Sequence, residues 1–311
     1  MADASATVLI GYDGSEDAAA AIRCAGDLLA PRRAVVASVW DSLSSLLLRT
    51  DVDGLTGTME EAAREVDAAD RERGESLARQ GADLARDAGF ESTSVAAVGE
   101  PKAWPALIDL AREHDVVAVV VGSRGLGGVK SAVLGSVSSG VLHRSHIPVL
   151  VVPPLEQRLS GPAVIAYDGS EHARRAITAA GALLAAREAV VQTVWTSYES
   201  VAPAAVAGMP APVTAEAVDR VNQALADGAQ RTADEGARLA AEAGLEVRAE
   251  AARAQGNVWR TVLEAARSHG AAAVVIGSRG RSAVGALVLG STSRALAHHA
   301  PVPLLVAPPA D

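Results

Sequence analysis

The sequence predicts an α/β protein made of two tandem, doubly wound, Rossmann-like domains, each with a five-stranded parallel sheet. The chain has 311 residues, which is enough for two domains with cores of their own. Short β-branched runs alternate with helical patterns, as in parallel sheets covered on both faces. Landmarks also recur 155 positions apart: Tyr12 and Trp40, for example, return as Tyr167 and Trp195. A repeat of that length is a whole domain rather than a solenoid unit.

The repeat places a domain boundary near the middle of the chain. We expect the first domain to span residues 1–153 and the second to span residues 163–311. The segment between them, residues 154–162, is polar and has a proline at each end. That composition is typical of a linker.

In the first domain, each strand is predicted from a short apolar run and each helix from apolar residues at helical spacing. The predicted strands are residues 7–12, 34–40, 92–98, 116–121 and 147–152. The predicted helices are residues 16–30, 60–88, 101–113 and 136–144. Ser15 is placed to cap the first helix, Pro31 to stop it, Gly89 to end the second and Pro101 to start the third. The second domain repeats this order from residue 163 to residue 307.

Two segments that follow the second strand of each domain have no clear pattern. They are residues 41–59 and 196–213, and they are the least alike parts of the two domains. We expect both to be loops, mobile or lid-like in behaviour.

Composition argues against several classes of function. The net charge of −9 argues against a nucleic-acid-binding face, and aromatic residues are only 3% of the chain, too few to stack single-stranded bases. No apolar run approaches the ~20 residues that cross a bilayer, and the acidic N-terminus is unlike a secretory signal. Cys24 is the single cysteine, so no disulfide can form within the chain and a reducing compartment is expected. We therefore expect a cytoplasmic protein that binds neither nucleic acid nor a membrane.

A glycine-rich stretch follows the fourth strand of each domain. Residues 122–138 read GSRGLGGVKSAVLGSVS, and residues 277–293 read GSRGRSAVGALVLGSTS. A strand end, a glycine loop and a helix start with Ser form a typical setting for a bound phosphate. We expect Gly122 and Gly125 to adopt positive φ and to let the backbone approach a ligand. The N–H groups of the next helix and the hydroxyls of Ser136 and Ser138 would donate hydrogen bonds to it.

The best-known phosphate motifs do not fit this stretch. Neither copy has the Gly-Lys pair of a Walker loop, and Lys130 stands where the third glycine of GxGxxG would be. Arg124 and Arg279 occupy the same place in the two copies and could add positive charge. An ordinary strand-to-helix turn remains open as an alternative.

An aspartate comes directly after the first strand of each domain, at Asp13 and Asp168. Ligands of doubly wound sheets bind beyond the carboxyl ends of the strands, where the strand order reverses. We therefore expect each aspartate to meet the glycine stretch of its domain at one crevice. The sequence Asp-Gly-Ser also fits a simple turn or a helix cap, and this alternative remains open as well.

Taken together, these motifs resemble a tandem universal stress protein, and the resemblance extends over nearly the whole chain. The ATP-binding members of that family share the pattern G-2x-G-9x-G-S/T at the end of the fourth strand. Here the pattern is formed by Gly122, Gly125, Gly135 and Ser136, and again by Gly277, Gly280, Gly290 and Ser291. Asp13 and Asp168 match the family's aspartate after the first strand. The closing sequences HRSHIPVLVVPP and HHAPVPLLVAPP resemble its last helix and strand.

The resemblance implies a role for each matching residue. The adenine end of ATP would be held by Asp13, Asp168 and the backbone of Val39 and Val194. The ribose and phosphates would be held by the glycines of the pattern, by Ser136 and Ser291, and by the backbone of Val137 and Thr292. Arg124 and Arg279 are counted with these site residues for the positive charge that they could add. Gly99 matches a family glycine after the third strand. The second domain has Ala254 there, which changes the ribose contact of its site.

The resemblance further implies an ATP-binding stress-response regulatory protein with one nucleotide site per domain, its phosphates held by the G-2x-G-9x-G-S loop. The alternative is a slow Mg²⁺-dependent ATPase or nucleotidyl-transfer enzyme. Asp13 could reach a phosphate-bound metal, but phosphoryl transfer also needs a residue that orients the nucleophile, and the sequence reveals none. A nucleotide-free scaffold is a third hypothesis.

Single-domain relatives dimerise, commonly through their last strand. The resemblance therefore implies that the two domains form an internal pseudo-dimer within the chain. A homodimer of whole chains is a further expectation, and the sequence points to no particular protein partner.

Overall fold

The structure is a computed structural model, and it describes residues 3, 5–49, 57–99, 102–125, 134–155, 160–185, 188–201, 214–280 and 289–308. The chain separates into two compact units, with the division between residues 158 and 159. We call them unit one and unit two, in chain order. Strands alternate with helices in each unit, except after the second strand, where helices follow one another.

The described residues of unit one form ten elements. In chain order they are β1 (Thr7–Gly11), α1 (Glu16–Leu28), β2 (Arg33–Asp41), α2 (Leu43–Arg49), α3 (Gly57–Asp87), β3 (Glu91–Gly99), α4 (Ala103–Glu113), β4 (Ala118–Gly122), α5 (Ser136–Arg144) and β5 (Val149–Val152). The predicted strands and helices of this unit are all present, with ends that differ by up to three residues. Helix α1 ends at Leu28 rather than Ala30 because the helical conformation is disfavoured for a residue that precedes proline, here Pro31.

Unit two repeats the order of unit one. Its elements are β6 (Ala163–Ala166), α6 (Glu171–Leu183), β7 (Glu188–Trp195), α7 (Tyr198–Val201), α8 (Ala215–Glu242), β8 (Glu246–Arg253), α9 (Val258–Ser268), β9 (Ala273–Gly277), α10 (Ser291–His299) and β10 (Leu304–Ala307).

Each unit has a parallel sheet of five strands, which confirms the predicted fold class. The strand order is β3-β2-β1-β4-β5 in unit one and β8-β7-β6-β9-β10 in unit two. The central strands β1 and β4 pair in parallel, with Leu9 opposite Val119, and both of these side chains are completely buried. The chain runs outward from β1 to β3 and then crosses to β4, so the strand order reverses between β1 and β4. This is the place at which the sequence predicts a crevice.

The sequence led us to expect only loops after the second strand of each unit. Each of these segments instead begins with a short helix, α2 in unit one and α7 in unit two. Helix α2 is held by Asp67 of α3, whose Oδ1 accepts a hydrogen bond from the Leu43 N–H (2.7 Å) and whose Oδ2 accepts one from the Ser42 hydroxyl (2.9 Å). In unit two, Asn222 stands in the place of Asp67 and accepts from the Tyr198 N–H at 2.8 Å. A cap from a separate helix leaves no local signal in the sequence. The rest of the expected lid-like loops, residues 50–56 and 202–213, lies outside the described residues.

Glycines in the long helices let these helices pack closely on the residues that precede the crevice. A β-carbon on Gly81 of α3 would come within 2.7 Å of Val36 and 2.8 Å of Tyr12, and Gly236 of α8 stands in the same relation to Tyr167. The backbone of each aspartate that follows these tyrosines is therefore positioned by close helix packing.

Candidate functional site

The crevice of unit one brings Asp13 and the glycine stretch together, as predicted. Oδ1 of Asp13 accepts the N–H of Ser15 at 3.0 Å. Oδ2 lies against Gly125, so close that a β-carbon on residue 125 would be only 2.5 Å away. One oxygen thus forms the local turn that the sequence offered as an alternative, while the other reaches the loop across the strand reversal.

Unit two repeats this arrangement. Oδ1 of Asp168 accepts the N–H of Ser170 at 3.0 Å, and a β-carbon on Gly280 would lie 2.8 Å from its Oδ2. The hydroxyls of Ser15 and Ser170 then cap α1 and α6 by accepting N–H groups at 3.1 and 3.2 Å. The second glycine of each stretch is therefore required by an aspartate that lies more than 100 residues away in the sequence.

The first glycine of each stretch is needed for helix packing, whereas the sequence led us to expect that it lets the backbone approach a ligand. Gly122 and Gly277 are buried at the ends of β4 and β9. A β-carbon on Gly277 would come within 2.5 Å of the His172 carbonyl oxygen, and one on Gly122 within 3.2 Å of the Asp17 carbonyl. These glycines let the first helix of each unit pack against a strand end.

The expected positive φ at Gly122 and Gly125 is wrong. Among the described residues near the crevice, positive φ belongs to Gly14 (84°) and Gly169 (81°), in the Asp-Gly-Ser turns. There it allows the aspartate oxygen to accept the N–H two residues further on.

The third glycine closes the loop and begins a helix. The N–H of Gly135 donates to the Ser123 carbonyl at 2.8 Å, and that of Gly290 donates to the Ser278 carbonyl at 2.8 Å. Both glycines are helix N-caps with extended backbone and provide no side-chain cap. No cap side chain therefore accepts a first-turn N–H in α5 or α10, whereas in α1 the Ser15 hydroxyl accepts the N–H of Ala18. The N–H groups of Ser136 and Val137, and of Ser291 and Thr292, begin these two helices.

The two serines at the start of α5 differ in what they can do. Ser136 is exposed, as is Ser291 in unit two. Ser138 is buried, and its hydroxyl donates to the Gly122 carbonyl at 2.6 Å; Ser293 donates to the Gly277 carbonyl at 2.8 Å. The expectation that the Ser138 hydroxyl is a ligand donor is therefore wrong, because this hydroxyl ties the helix to the strand end.

The backbone of Val39 faces the same crevice. The Tyr12 N–H donates to the Ala37 carbonyl at 2.8 Å, and β1 ends just before Tyr12. Residues two apart in a strand direct their backbone groups to the same side, so the N–H and C=O of Val39 face the space beyond β1. In unit two the Tyr167 N–H donates to the Gln192 carbonyl at 2.9 Å, and Val194 follows in the same way.

Gly99 lies beside Val39 at this edge of the sheet. It pairs in register with Asp41, and a β-carbon there would be 3.0 Å from Asp41 Oδ1 and 3.1 Å from the Val39 side chain. Ala254 has such a β-carbon in unit two, and its N–H donates to the Trp195 carbonyl at 2.7 Å. Asp41, which the sequence analysis did not single out, is thus another carboxylate at the edge of the crevice.

The arginines of the glycine stretch face the first helix of their unit. Arg124 Nε lies 3.3 Å from Asp17 Oδ2, and both side chains are largely covered. The counterpart of Asp17 in unit two is His172. Burial lowers the pKa of His172, and the positive charges of Arg279 and Arg175 lower it further. The sequence did not lead us to expect Asp17 or His172 near the crevice. The repeat could have pointed to them, because the two units carry different residues at this equivalent position.

The tyrosines before the aspartates are held by the long helices. The Tyr12 hydroxyl donates to Gln80 Oε1 at 3.2 Å, and the Tyr167 hydroxyl donates to Glu235 Oε1 at 3.3 Å. Burial raises the pKa of both hydroxyls, and in unit two the Glu235 carboxylate raises it further. Both tyrosine hydroxyls therefore remain protonated near pH 7.

The described part of the chain lacks two features. No cluster of three or more His, Cys, Asp or Glu side chains in that part of the chain is arranged to hold a metal ion. Likewise, none of its helices combines the length and the apolarity needed to cross a membrane. Lys130, Leu126 and their repeat partners lie outside the described residues.

Fold and crevice together define a doubly wound α/β protein of the Rossmann-like class, written twice in one chain. A model of the universal stress protein family matches residues 5–153 and again residues 161–308. The chain belongs to this family.

Individual relatives agree with this assignment. Universal stress protein YxiE of Bacillus subtilis is 28% identical over 145 residues, which cover 47% of this chain and 97% of that protein. Universal stress protein Rv2623 of Mycobacterium tuberculosis is 29% identical over 209 residues, or 66% of this chain and 65% of that protein.

Solved structures show the same fold. A universal stress protein from Archaeoglobus fulgidus has a TM-score of 0.60 at 20% identity, and the alignment covers 97% of this chain and 98% of that one. A protein of unknown function from Pseudomonas aeruginosa, PA1789, has a TM-score of 0.54 at 13% identity over 97% of this chain and 92% of that one.

Proposed function

We propose that each unit binds one ATP in its crevice and that the chain acts as an ATP-dependent regulator in a stress response. The observation that carries the proposal is the meeting of an aspartate, a glycine loop and an uncapped helix start at one strand reversal, in both units. In this proposal domain one comprises residues 1–153, domain two comprises residues 163–311, and residues 154–162 link them.

The adenine end fits the inner part of the crevice. The N–H and C=O of Val39, which face the space beyond β1, offer one donor and one acceptor, which is the pairing that the edge of an adenine presents. Asp13 lies at the end of the neighbouring strand and can accept a hydrogen bond from the base or the sugar. Gly99, in register with Asp41, lets the Asp41 and Val39 side chains lie close to the strand at the same edge, and the ribose would bind next to them.

The phosphates fit the outer part. The N–H groups of Ser136 and Val137 begin α5 without a side-chain cap, and a helix start attracts anions. The exposed Ser136 hydroxyl adds a donor, and Gly125 and Gly135 keep the loop close to it. Magnesium would be carried by the phosphates themselves; we propose no protein ligand for it.

Titration calorimetry on protein freed of nucleotide tests this function. We expect two ATP sites of wild-type affinity per chain, one such site in Asp13→Asn and none in the double variant with Asp168→Asn. Asparagine can still accept the Ser15 or Ser170 N–H, so the turns persist. Loss of a charged hydrogen bond weakens binding by roughly 10- to 100-fold.

Two controls decide between the alternatives. Unfolding midpoints equal to wild type show that the variants are folded. Phosphate release is followed in parallel: steady release that disappears in the double variant would favour the slow Mg²⁺-dependent ATPase. A wild-type chain that retains no ATP would contradict the proposal.

A further inference from the structure

A carboxylate stands at the carboxyl end of the second strand of unit one. Asp41 is the last residue of β2, and it pairs in register with Gly99, the last residue of β3. Its side chain lies on the same face of the strand as that of Val39, because residues two apart share a face. A β-carbon on Gly99 would be 3.0 Å from Asp41 Oδ1 and 3.1 Å from the Val39 side chain. Gly99 therefore leaves the space in which this carboxylate lies.

The Asp41 carboxylate is available to a ligand. The residue is exposed, and no hydrogen-bond donor or cation in the described part of the chain pairs with its side chain. Asp13 differs in this respect, because one of its oxygens already accepts the Ser15 N–H. An ionised carboxylate has only acceptor atoms, so the ligand groups that it binds are donors or cations. Asp41 is thus an acceptor without a donor at the edge of the crevice.

The place of Asp41 in the fold favours the sugar of a nucleotide as its partner. In dinucleotide-binding sheets of this class, an acidic side chain that follows the first strand and helix hydrogen-bonds the ribose 2′-hydroxyl. In the proposed function, the backbone of Val39 pairs with adenine, and the sugar attached to that base lies near the end of β2. The phosphates are a poor partner for Asp41 because they carry charge of the same sign.

Unit two has neither the carboxylate nor the space for it. Thr196 stands at the position of Asp41, directly after β7, and Ala254 stands at the position of Gly99. The β-carbon of an alanine there would be in tight contact with a carboxylate placed as in unit one. A threonine hydroxyl is neutral, so its hydrogen bond to a sugar hydroxyl is weaker than that of a carboxylate. The two units therefore offer different surroundings to a ribose.

We propose that Asp41 accepts hydrogen bonds from the ribose hydroxyls of the bound nucleotide, so that unit one selects ribonucleotides and unit two tolerates a sugar without these hydroxyls. This inference rests on the proposed function and deepens it. Asp41 is the residue that determines the selectivity, and Gly99 is the residue that gives its carboxylate room. Both units bind ATP, but only unit one distinguishes nucleotides by their sugar.

Titration calorimetry on full chains with one site of wild-type affinity measures this selectivity. Asp168→Asn leaves the site of unit one, and Asp13→Asn leaves the site of unit two. The readout is the ratio of the Kd for 2′,3′-dideoxy-ATP to the Kd for ATP at each site. We expect a ratio of about 10 in unit one, as for the loss of a hydrogen bond to a charged group, and a ratio below about 3 in unit two.

Variants of unit one test the two residues directly. Asp41→Asn keeps the size of the side chain without its charge and should lower the ratio to about 3. Gly99→Ala should also lower the ratio, because its β-carbon would push the Asp41 carboxylate aside. The two nucleotides share the same base and phosphates, so a merely structural role, or a change in charge repulsion, would alter both Kd values equally and leave the ratio fixed.

The reverse exchange in unit two tests whether the carboxylate and the glycine are sufficient. Thr196→Asp together with Ala254→Gly should raise the ratio in unit two to about 10. Thr196→Asp alone should raise it less, because the β-carbon of Ala254 crowds the carboxylate. Unfolding midpoints equal to that of the parent chain show that each variant is folded. A ratio that stays below about 3 in the double exchange would contradict the inference.

Adenosine and 2′,3′-dideoxyadenosine separate this inference from the proposed function. If ATP fails to bind but unit one prefers adenosine to its dideoxy form, and Asp41→Asn removes the preference, the sugar contact stands and ATP recognition falls. If ATP binds both units with the same ratio, or Asp41→Asn leaves the ratio of unit one unchanged, this inference is overturned and the proposed function stands. If unit one binds neither ATP nor adenosine, both are overturned.

Discussion

The carboxylate of Asp13 lies directly against Gly125, with Oδ2 only 2.5 Å from the position that a β-carbon on residue 125 would occupy. Asp168 and Gly280 repeat the contact at 2.8 Å. Real β-carbons do not approach an oxygen so closely, so the aspartate leaves space only for glycine at the position that it faces. This contact joins the two motifs that the sequence analysis singled out.

Alanine at either of these loop glycines should therefore weaken binding without unfolding the unit. The added methyl group of Gly125→Ala would push the Asp13 carboxylate aside, and we expect the affinity of unit one for ATP to fall roughly 10-fold. Gly280→Ala should do the same in unit two. Calorimetry of each variant gives the affinity, and circular dichroism gives the unfolding midpoint.

Gly228→Ala, inside helix α8, is the matched control. A β-carbon there would meet only the end of the Arg231 side chain, at 3.7 Å. It should stabilise the helix by roughly 0.5–1 kcal/mol and leave ATP affinity unchanged. Full ATP affinity in Gly125→Ala would show that the position of the Asp13 carboxylate is irrelevant to binding.

The strand-end glycines Gly122 and Gly277 differ from the loop glycines, because alanine at these positions should lower the stability of the unit. In Gly277→Ala the new methyl group meets the His172 carbonyl at 2.5 Å, and backbone cannot move aside cheaply. We expect unit two to lose about 1–3 kcal/mol of unfolding free energy. Gly122→Ala, with its nearest contacts at 3.2 Å, should cost less. Urea denaturation of the two variants checks the order, and equal losses would contradict the packing argument.

The neighbouring serines 136 and 138 offer a test within one helix. Ser138→Ala removes a buried hydrogen bond of 2.6 Å to the Gly122 carbonyl, which leaves that acceptor unsatisfied at a cost of about 1–3 kcal/mol. Ser136→Ala alters an exposed hydroxyl and should change the unfolding free energy by less than ~0.5 kcal/mol.

For ATP affinity we expect the opposite order, with the larger loss in Ser136→Ala. Ser136→Ala loses a phosphate donor, and we expect a several-fold rise in the Kd for ATP. Ser138→Ala should bind ATP normally at temperatures where it is folded. A larger loss of ATP affinity in Ser138→Ala than in Ser136→Ala would overturn the assignment of these two hydroxyls.

The cap on α2 predicts a pH dependence in unit one. Burial acts to raise the pKa of Asp67, but the hydrogen bonds from the Ser42 hydroxyl and from the backbone N–H groups of Leu43 and Ser44 outweigh it, and the pKa is lowered from its ordinary 3.8. Because the folded value lies below the unfolded one, the ionised cap stabilises α2 above about pH 4. That contribution is lost as the pH falls through the folded value.

Amide NMR shifts between pH 7 and pH 2 measure this titration. The Leu43 N–H, bonded to Asp67, should shift with a midpoint below 3.8. The matched control is Asp67→Asn, which introduces the residue that unit two has at this place, so the Leu43 N–H should no longer follow the titration. A Leu43 midpoint above 3.8, or an equal shift in Asp67→Asn, would show that the carboxylate is not the cap.

Much of the fold follows from local sequence. The β-branched runs, the cap at Ser15 and the helix stop before Pro31 act over a few residues, so they can be read along the chain. The constant repeat offset carries the same reading into unit two. The strand reversal between β1 and β4 follows from the general rules of parallel sheets, and it places Asp13 beside the glycine stretch.

The sequence by itself thus determined two doubly wound domains and the motifs that line each crevice. Only the tertiary structure decided what each motif residue touches. Gly122 allows helix packing and Gly125 leaves space for the Asp13 carboxylate, because the atoms that approach them come from the first helix and from the turn after the first strand, more than 100 positions away. The pairing of Arg124 with Asp17, and its replacement by His172 in unit two, likewise depends on side chains that meet only when β4 lies beside α1.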